Sequence, residues 1–297
     1  MGEYKSLLQQ SETEMNVGPH FDLHMHSSAS DGALPPAEVM QRAAAAGVEL
    51  IALTDHDTLD GLSEARVAAE SEGMRFINGV ELTADWRGRV IHLVGLDFDA
   101  RAPAFEAYMQ NLMTLRDERA RVIAQKLEKR GLGSNLYELA REQAGDTQIG
   151  RPHFAKALMQ LGKVGSMQEA FDAYLGQGTV GDVKATWPSY SEAIELITRA
   201  GGMVVLAHPT KYNFTFTKIR ELMTDLLEAG AIGLEVSFPG VTPGHQHELI
   251  KLAQQRQCYV SAGSDFHSPD QRWTSLGRYP EFKAERLISE RLLAASA

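Results

Sequence analysis

Strand-like runs alternate with helical runs in two separate blocks of this sequence, and that alternation is the strongest limit on its fold. In the first block FDLHMH (21–26) precedes a helical stretch from Pro36 to about Ala46, then come ELIALT (49–54), a helix near 59–72, MRFINGVEL (74–82) and RVIHLVGLDF (89–98). The second runs from a helix near 190–200 through GMVVLAHP (202–209), a helix near 217–229, AIGLEVS (231–237), a helix near 243–255 and QCYVSAGSDFH (257–267). Such alternation predicts a parallel sheet or barrel. Residues 103–187 differ: helical periodicity dominates at 104–130, shorter helical pieces follow near 135–143, 152–161 and 167–175, and strand signals are nearly absent. Prolines in RAP (101–103) and KATWPS (184–189) mark the junctions. The expected fold is an α/β barrel in two parts, 20–102 and 188–290, with a small helical domain, 103–187, inserted between them.

Residues able to hold a metal fall at the ends of these strand runs. His24 and His26 close the first, and positions two apart on a strand share a face. Asp31 and His56 follow in the loops, Glu81 ends FINGVE, His92 lies in VIHLVG, His208 ends MVVLAH, and Asp265 with His267 repeats the two-apart spacing. In barrels the C-terminal strand ends form the active face. A single histidine at a strand end is ordinarily structural or solvated, and His92 alone reads equally well as a hydrogen-bonded core residue. The joint pattern is harder to dismiss, because burying so many polar groups is costly without partners or metal. Nine ligands exceed one ion's needs, so two or three ions are expected. A set without cysteine, mixing imidazole and carboxylate, suits Mn, Fe or Zn, and clustered ions suit phosphoester hydrolysis by a metal-bound hydroxide.

His24-Met25-His26, Ser30-Asp31-Gly32, Thr54-Asp55-His56-Asp57, Gly79-Val80-Glu81, Ile91-His92, Ala207-His208-Pro209 and Ser264-Asp265-Phe266-His267 together resemble the PHP (polymerase and histidinol phosphatase) family across both α/β blocks. The resemblance implies a distorted (β/α)7 barrel and three ions, typically Mn2+. It implies that His24, His26, Glu81 and Asp265 hold one ion, that Glu81 bridges to a second held with His92 and His208, and that Asp31, His56 and His267 hold the third. Glu81, His208, Asp265 and His267 are the expected catalytic residues, with His208 or His267 protonating the leaving oxygen. The helical insert, with Gly150-Arg151-Pro152-His153, is similar to that of the bacterial nucleoside 3′,5′-bisphosphate phosphatases, some of which trim short RNA from its 5′ end. Arg151 and His153 are therefore the expected substrate-phosphate contacts, Arg for its planar fork. The alternatives are a phosphatase of a non-nucleotide substrate such as histidinol phosphate, and a non-catalytic metal-stabilised nucleotide-binding module.

The formal net charge of −10 argues against broad gripping of duplex nucleic acid by its phosphates, and leaves a nucleotide or short single-stranded RNA as the expected partner. No membrane span, no signal peptide and no obligate protein partner are expected, and residues 1–16 read as a loose leader. The single cysteine, Cys258, fits a reducing compartment, hence a cytoplasmic location, and a buried apolar role. Asp57 reads as a helix cap, Asp55 as the orienter of a ligand histidine, Gly32 and Gly79 as turn glycines, and RDERARVIAQKLEKR (116–130) as a solvated helix face. Tyr212, Phe214 and Phe216 read as a packed loop before a base-stacking platform.

Overall fold

The computed structural model describes residues 20–145 and 147–294; the leader reading of 1–16 lies outside them. The first block forms β1 (Phe21–Asp22), α1 (Pro36–Ala45), β2 (Leu50–Leu53), α2 (Leu62–Ser71), β3 (Arg75–Trp86) and β4 (Arg89–Leu96). The helical stretch forms α3 (Ala104–Lys129), α4 (Leu136–Ala144), α5 (Arg151–Gln160) and α6 (Met167–Ala170), with a π-helical turn at Phe171–Leu175. The second block forms α7 (Tyr190–Arg199), β5 (Met203–Leu206), α8 (Phe216–Glu228), β6 (Gly233–Ser237), α9 (Pro243–Arg256), β7 (Tyr259–Ala262) and a closing α10 (Ile288–Ala294).

The seven strands lie in one sheet in chain order. Beyond the outer strands Met25 pairs with Phe266 in parallel, so the sheet curls into a nearly closed barrel. Central strands such as β2 and β5 are buried along their whole length, as expected of strands covered on both faces. One strand departs from the parallel expectation: β4 runs antiparallel to both β3 and β5. The cause is local. Arg87 and Gly88 both take positive φ, 52° and 75°, the conformation of a two-residue hairpin turn whose twist matches the flanking strands. His92 therefore enters the barrel mouth from near the beginning of its strand, not from its end.

The large core packs α1, α2, α7, α8 and α9 on the barrel's outside, while Leu23, Leu50, Ala52, Val94, Val205 and Ala262 belong to a separate cluster. The insert has its own apolar cluster, including Ile123, Leu127, Leu136, Phe154 and Leu158. Helix α3 serves both: Phe105 and Leu112 pack in the barrel's core and Ala120 onward in the insert's. Among the described residues no helix is long and apolar enough to cross a membrane. Cys258 is buried, as expected.

Candidate active site

Two ligand pairs meet where the barrel closes. The His26 amide donates to the Phe266 carbonyl at 2.8 Å and the Asp265 amide to the His24 carbonyl at 2.8 Å. Met25 and Phe266 both turn into the core, so alternation sends His24, His26, Asp265 and His267 to the opposite side. The His26 and His267 rings stack with centroids 4.1 Å apart. This close approach needs Gly263: a Cβ there would sit 2.3 Å from the Cβ of His24. Gly79 likewise serves close strand approach and not a turn, since its Cβ would lie 2.5 Å from the Leu53 carbonyl oxygen. Gly32 is similar, with the His26 carbonyl oxygen 2.6 Å from the Cβ position.

Glu81 is the hub. Its Oε1 lies 2.9 Å from His92 Nδ1 and 2.9 Å from His208 Nε2. Its Oε2 lies 3.2 Å from His24 Nε2, 3.2 Å from His26 Nε2 and 3.1 Å from His56 Nδ1. Burial alone would push this carboxyl up, but His56, His24 and His92 around it hold it well below its ordinary value. Burial holds His56 well below the ordinary histidine value, which keeps its ring nitrogens free of a second proton. Asp31 completes the far side, 3.4 Å from His267 Nε2 and 4.0 Å from His56 Nε2. His208 and Asp265 sit at φ 27° and 46°, strained for side-chain-bearing residues and typical of functional sites.

All nine expected ligands thus converge. Their donor atoms fall into four overlapping groups: His26, Asp31, His56, His267; His24, Glu81, His208; His24, His26, Asp265; and His56, Glu81, His92. Among the described residues, buried His24 Nε2, both His26 ring nitrogens, Asp31 Oδ1, His56 Nδ1, Glu81 Oε2 and His208 Nδ1 have no hydrogen-bond partner. So many unsatisfied polar atoms crowded together are costly unless a cation sits among them. The donor set therefore fits divalent metal.

Two carboxylates outside that set hold it in place. Glu235, fully buried on β6, accepts from His24 Nδ1 at 2.7 Å and from the His208 amide at 2.7 Å. It thereby aims the His24 Nε2 lone pair into the centre. Asp22 accepts from the amides of Ser264 and Gly277 at 2.8 and 2.7 Å, fixing the chain before Asp265. Neither stood out in the sequence, because each is a lone acid in an apolar strand.

Other expectations need correction. Asp55 orients no histidine; it accepts from the Ser27 amide and from the hydroxyls of Ser27 and Ser30. Asp57 caps no helix, α2 beginning after Gly61; its side chain binds Thr83 and Arg116. The 116–130 face is not wholly solvated: Arg116 and Arg119 line a cleft of about 530 Å³ between insert and barrel mouth, together with Arg151, Lys184 and Lys211. Lys211 pairs with Asp265, and Trp187 lies under both arginines, 5.5 and 6.0 Å from ring centroid to guanidinium. Arg151 lines the cleft and donates to the Leu175 carbonyl at 3.1 Å. His153 is buried at the start of α5, where its Nδ1 accepts from the Gly150 amide at 2.9 Å, so that nitrogen shapes the turn that presents Arg151. Tyr212 and Phe214 both line the cleft, and Tyr212 is also held in place by donating to the Ala207 carbonyl at 2.8 Å.

The wall is thus cationic although the chain is acidic. Burial, with Arg151 and Arg116 nearby, pulls the Arg119 guanidinium down to about 9, which still leaves it charged at neutral pH. Among the described residues Arg119 donates to the Val183 carbonyl, at 2.8 Å, and neither it nor Arg151 forms a close ion pair, although the Asp182 charge acts on both. A cationic wall over a metal-binding floor suits a ligand with two separated anionic groups.

The family model described as PHP domain matches residues 22–260. A 5′-3′ exoribonuclease of Haemophilus influenzae is 44% identical over 258 residues, 87% of this chain and 93% of that protein. A 3′,5′-nucleoside bisphosphate phosphatase of Chromobacterium violaceum is 40% identical over 258 residues, 87% of this chain and 90% of that protein. A crystal structure from Bifidobacterium adolescentis, described as a metal-dependent phosphoesterase, superposes with a TM-score of 0.79 at 26% identity, covering 93% of this chain and 95% of the other.

Proposed function

The chain belongs to the PHP domain family, and from that premise we propose that it is a metal-dependent phosphoesterase acting on nucleoside 3′,5′-bisphosphates and on short 5′-phosphorylated RNA. Both substrate types named for the relatives present the same element, a 3′ phosphoester on a 5′-phosphorylated nucleoside, so one site can serve both. The observation that carries this reading is the cluster of nine metal-type ligands, of which Asp31, His56, His92 and His208 line the cleft, facing Arg116, Arg119 and Arg151 on its wall. The floor takes the scissile 3′ phosphate and the wall takes the 5′ phosphate.

His24, His26, Asp31, His56, Glu81, His92, His208, Asp265 and His267 would hold the metal, which we take to be three Mn2+. When bound, the ions supply an activated water and offset charge on the phosphate oxygens. The chain supplies the rest. Glu235 sets the His24 ring, and Asp265 holds Lys211 beside the floor, where its ammonium faces the reacting phosphate. Arg119 and Arg151, whose nearest carboxylate influence is Asp182 in the same cleft, bind the 5′ phosphate. Their position fixes how far the nucleoside enters, and so which phosphoester reaches the floor. The leaving oxygen takes its proton from His208, which lines the cleft, or from His267, whose side chain is 24% exposed.

The test is a paired assay on Mn-loaded protein: phosphate release from adenosine 3′,5′-bisphosphate, and mononucleotide release from a short 5′-phosphorylated RNA. Release from both, each substrate inhibiting the other competitively, is expected. Silence on both with metal bound would sink the proposal.

A further inference from the structure

Asp57 lies at a crossing point that the metal chemistry does not explain. It follows His56 directly, is fully buried, and takes φ 51°. Its amide donates to the Glu81 carbonyl at 3.0 Å. Its Oδ1 accepts from the Thr83 amide at 2.6 Å, and its Oδ2 from both Nε (2.8 Å) and Nη2 of Arg116. Its own carbonyl accepts from Gln148 Nε2 at 2.5 Å. One residue thus binds the strand that carries Glu81, the helix α3 of the insert, and the 148–151 segment that presents Arg151.

Arg116 is correspondingly fixed. Besides Asp57 it donates from Nη2 to Thr83 Oγ1 at 3.1 Å, and its guanidinium packs over Trp187. Among the described residues Nη1 makes no bond within the chain, and Arg116 lines the cleft. A buried ion pair contributes little net stability, because desolvation offsets most of its attraction. Holding a flexible side chain in one orientation is a different gain, since binding then costs less ordering entropy.

We propose that Asp57 is a positioning residue: by fixing Nε and Nη2 of Arg116 with its carboxylate and the side-chain amide of Gln148 with its carbonyl, it sets the spacing between the metal-binding floor and the phosphate-binding wall, and so the preference for nucleosides carrying a 5′ phosphate. This rests on the reading of the cleft given above. Asp57 touches neither substrate nor reacting atoms; it acts through Arg116.

The experiment compares wild type with Asp57→Asn, Arg116→Gln and the double variant. Steady-state constants are measured on adenosine 3′,5′-bisphosphate and on adenosine 3′-monophosphate, which lacks the 5′ phosphate. In parallel, calorimetry measures adenosine 5′-monophosphate binding to metal-free protein. Loss of a charge-assisted contact predicts a KM for the bisphosphate raised by about tenfold or more, and adenosine 5′-monophosphate binding weakened to match. The monophosphate substrate should change far less, metal content should hold, and the double variant should be no worse than Arg116→Gln. Equal losses on both substrates, additive single effects, or unchanged or tighter adenosine 5′-monophosphate binding would overturn the proposal. Should Asp57→Asn fail to fold, Arg116→Gln carries the same test, and retained preference for the bisphosphate there overturns it. Wild type inactive on every nucleoside bisphosphate would instead remove the functional reading beneath it.

Discussion

Replacing Glu235 by Gln should weaken metal binding although Glu235 is no metal ligand. Its two oxygens serve different donors: Oε1 takes His24 Nδ1 and Oε2 takes the His208 amide, each at 2.7 Å. A carboxamide has one acceptor, so its NH2 must face one of them. Turned toward His208, it leaves a buried amide unsatisfied. Turned toward His24, it forces the other tautomer, puts the proton on Nε2, and removes the lone pair aimed at the centre. Either way one charge-assisted hydrogen bond is lost, roughly 1.5–3 kcal/mol. Histidine-supporting carboxylates of this kind typically affect metal affinity by about 10–100-fold. Equilibrium dialysis against Mn2+, with metal content measured directly, reads the effect independently of turnover. An affinity and thermal midpoint equal to wild type would refute the argument that Glu235 orients the site.

Three further outcomes follow from the same geometry. Glu81→Ala removes the carboxylate shared by five histidines; phosphate release should fall to background and bound metal should drop, and full activity would overturn the site assignment. Gly263→Ala places a Cβ 2.5 Å from the His24 backbone nitrogen; an overpacking cost of about 1–3 kcal/mol is expected, and a urea midpoint equal to wild type would show that the closure has slack. Burial pulls His153 from 6.5 down to about 4. Between those values the unfolded chain binds a proton that the folded chain refuses, so this residue's contribution lowers stability as pH falls through that window, by roughly 3 kcal/mol in full. His153→Gln, which keeps an acceptor for the Gly150 amide, should flatten part of that fall, and unchanged pH dependence of the urea midpoint would contradict it.

The parts of the molecule legible in the sequence are those where one residue type repeats in one structural setting. Strand and helix runs stood out because apolar periodicity changes between them. The ligand histidines stood out because His24-Met25-His26 and Asp265-Phe266-His267 place polar groups two apart around a residue that the core requires. The reversed strand β4 was missed because its direction depends on the Arg87-Gly88 turn, a weaker signal than the apolar runs on either side. Glu235 and Asp22 were invisible for another reason: a single acid in an apolar strand does not reveal what faces it from a distant segment. Arg116 and Arg119 read as solvated because alternating charge suits a helix in water, and nothing local shows that the barrel mouth covers that face. His153 reads as a substrate contact from its place in a motif, and the sequence does not show that its Nδ1 also has a backbone partner three residues back.

The most direct test of the account is a titration of metal-free protein with Mn2+ while following phosphate release from adenosine 3′,5′-bisphosphate. No turnover is expected before metal is added, then activity that rises with bound ion and levels off when the site is full. Turnover by the metal-free protein at the same rate, or none at saturating metal, would contradict it.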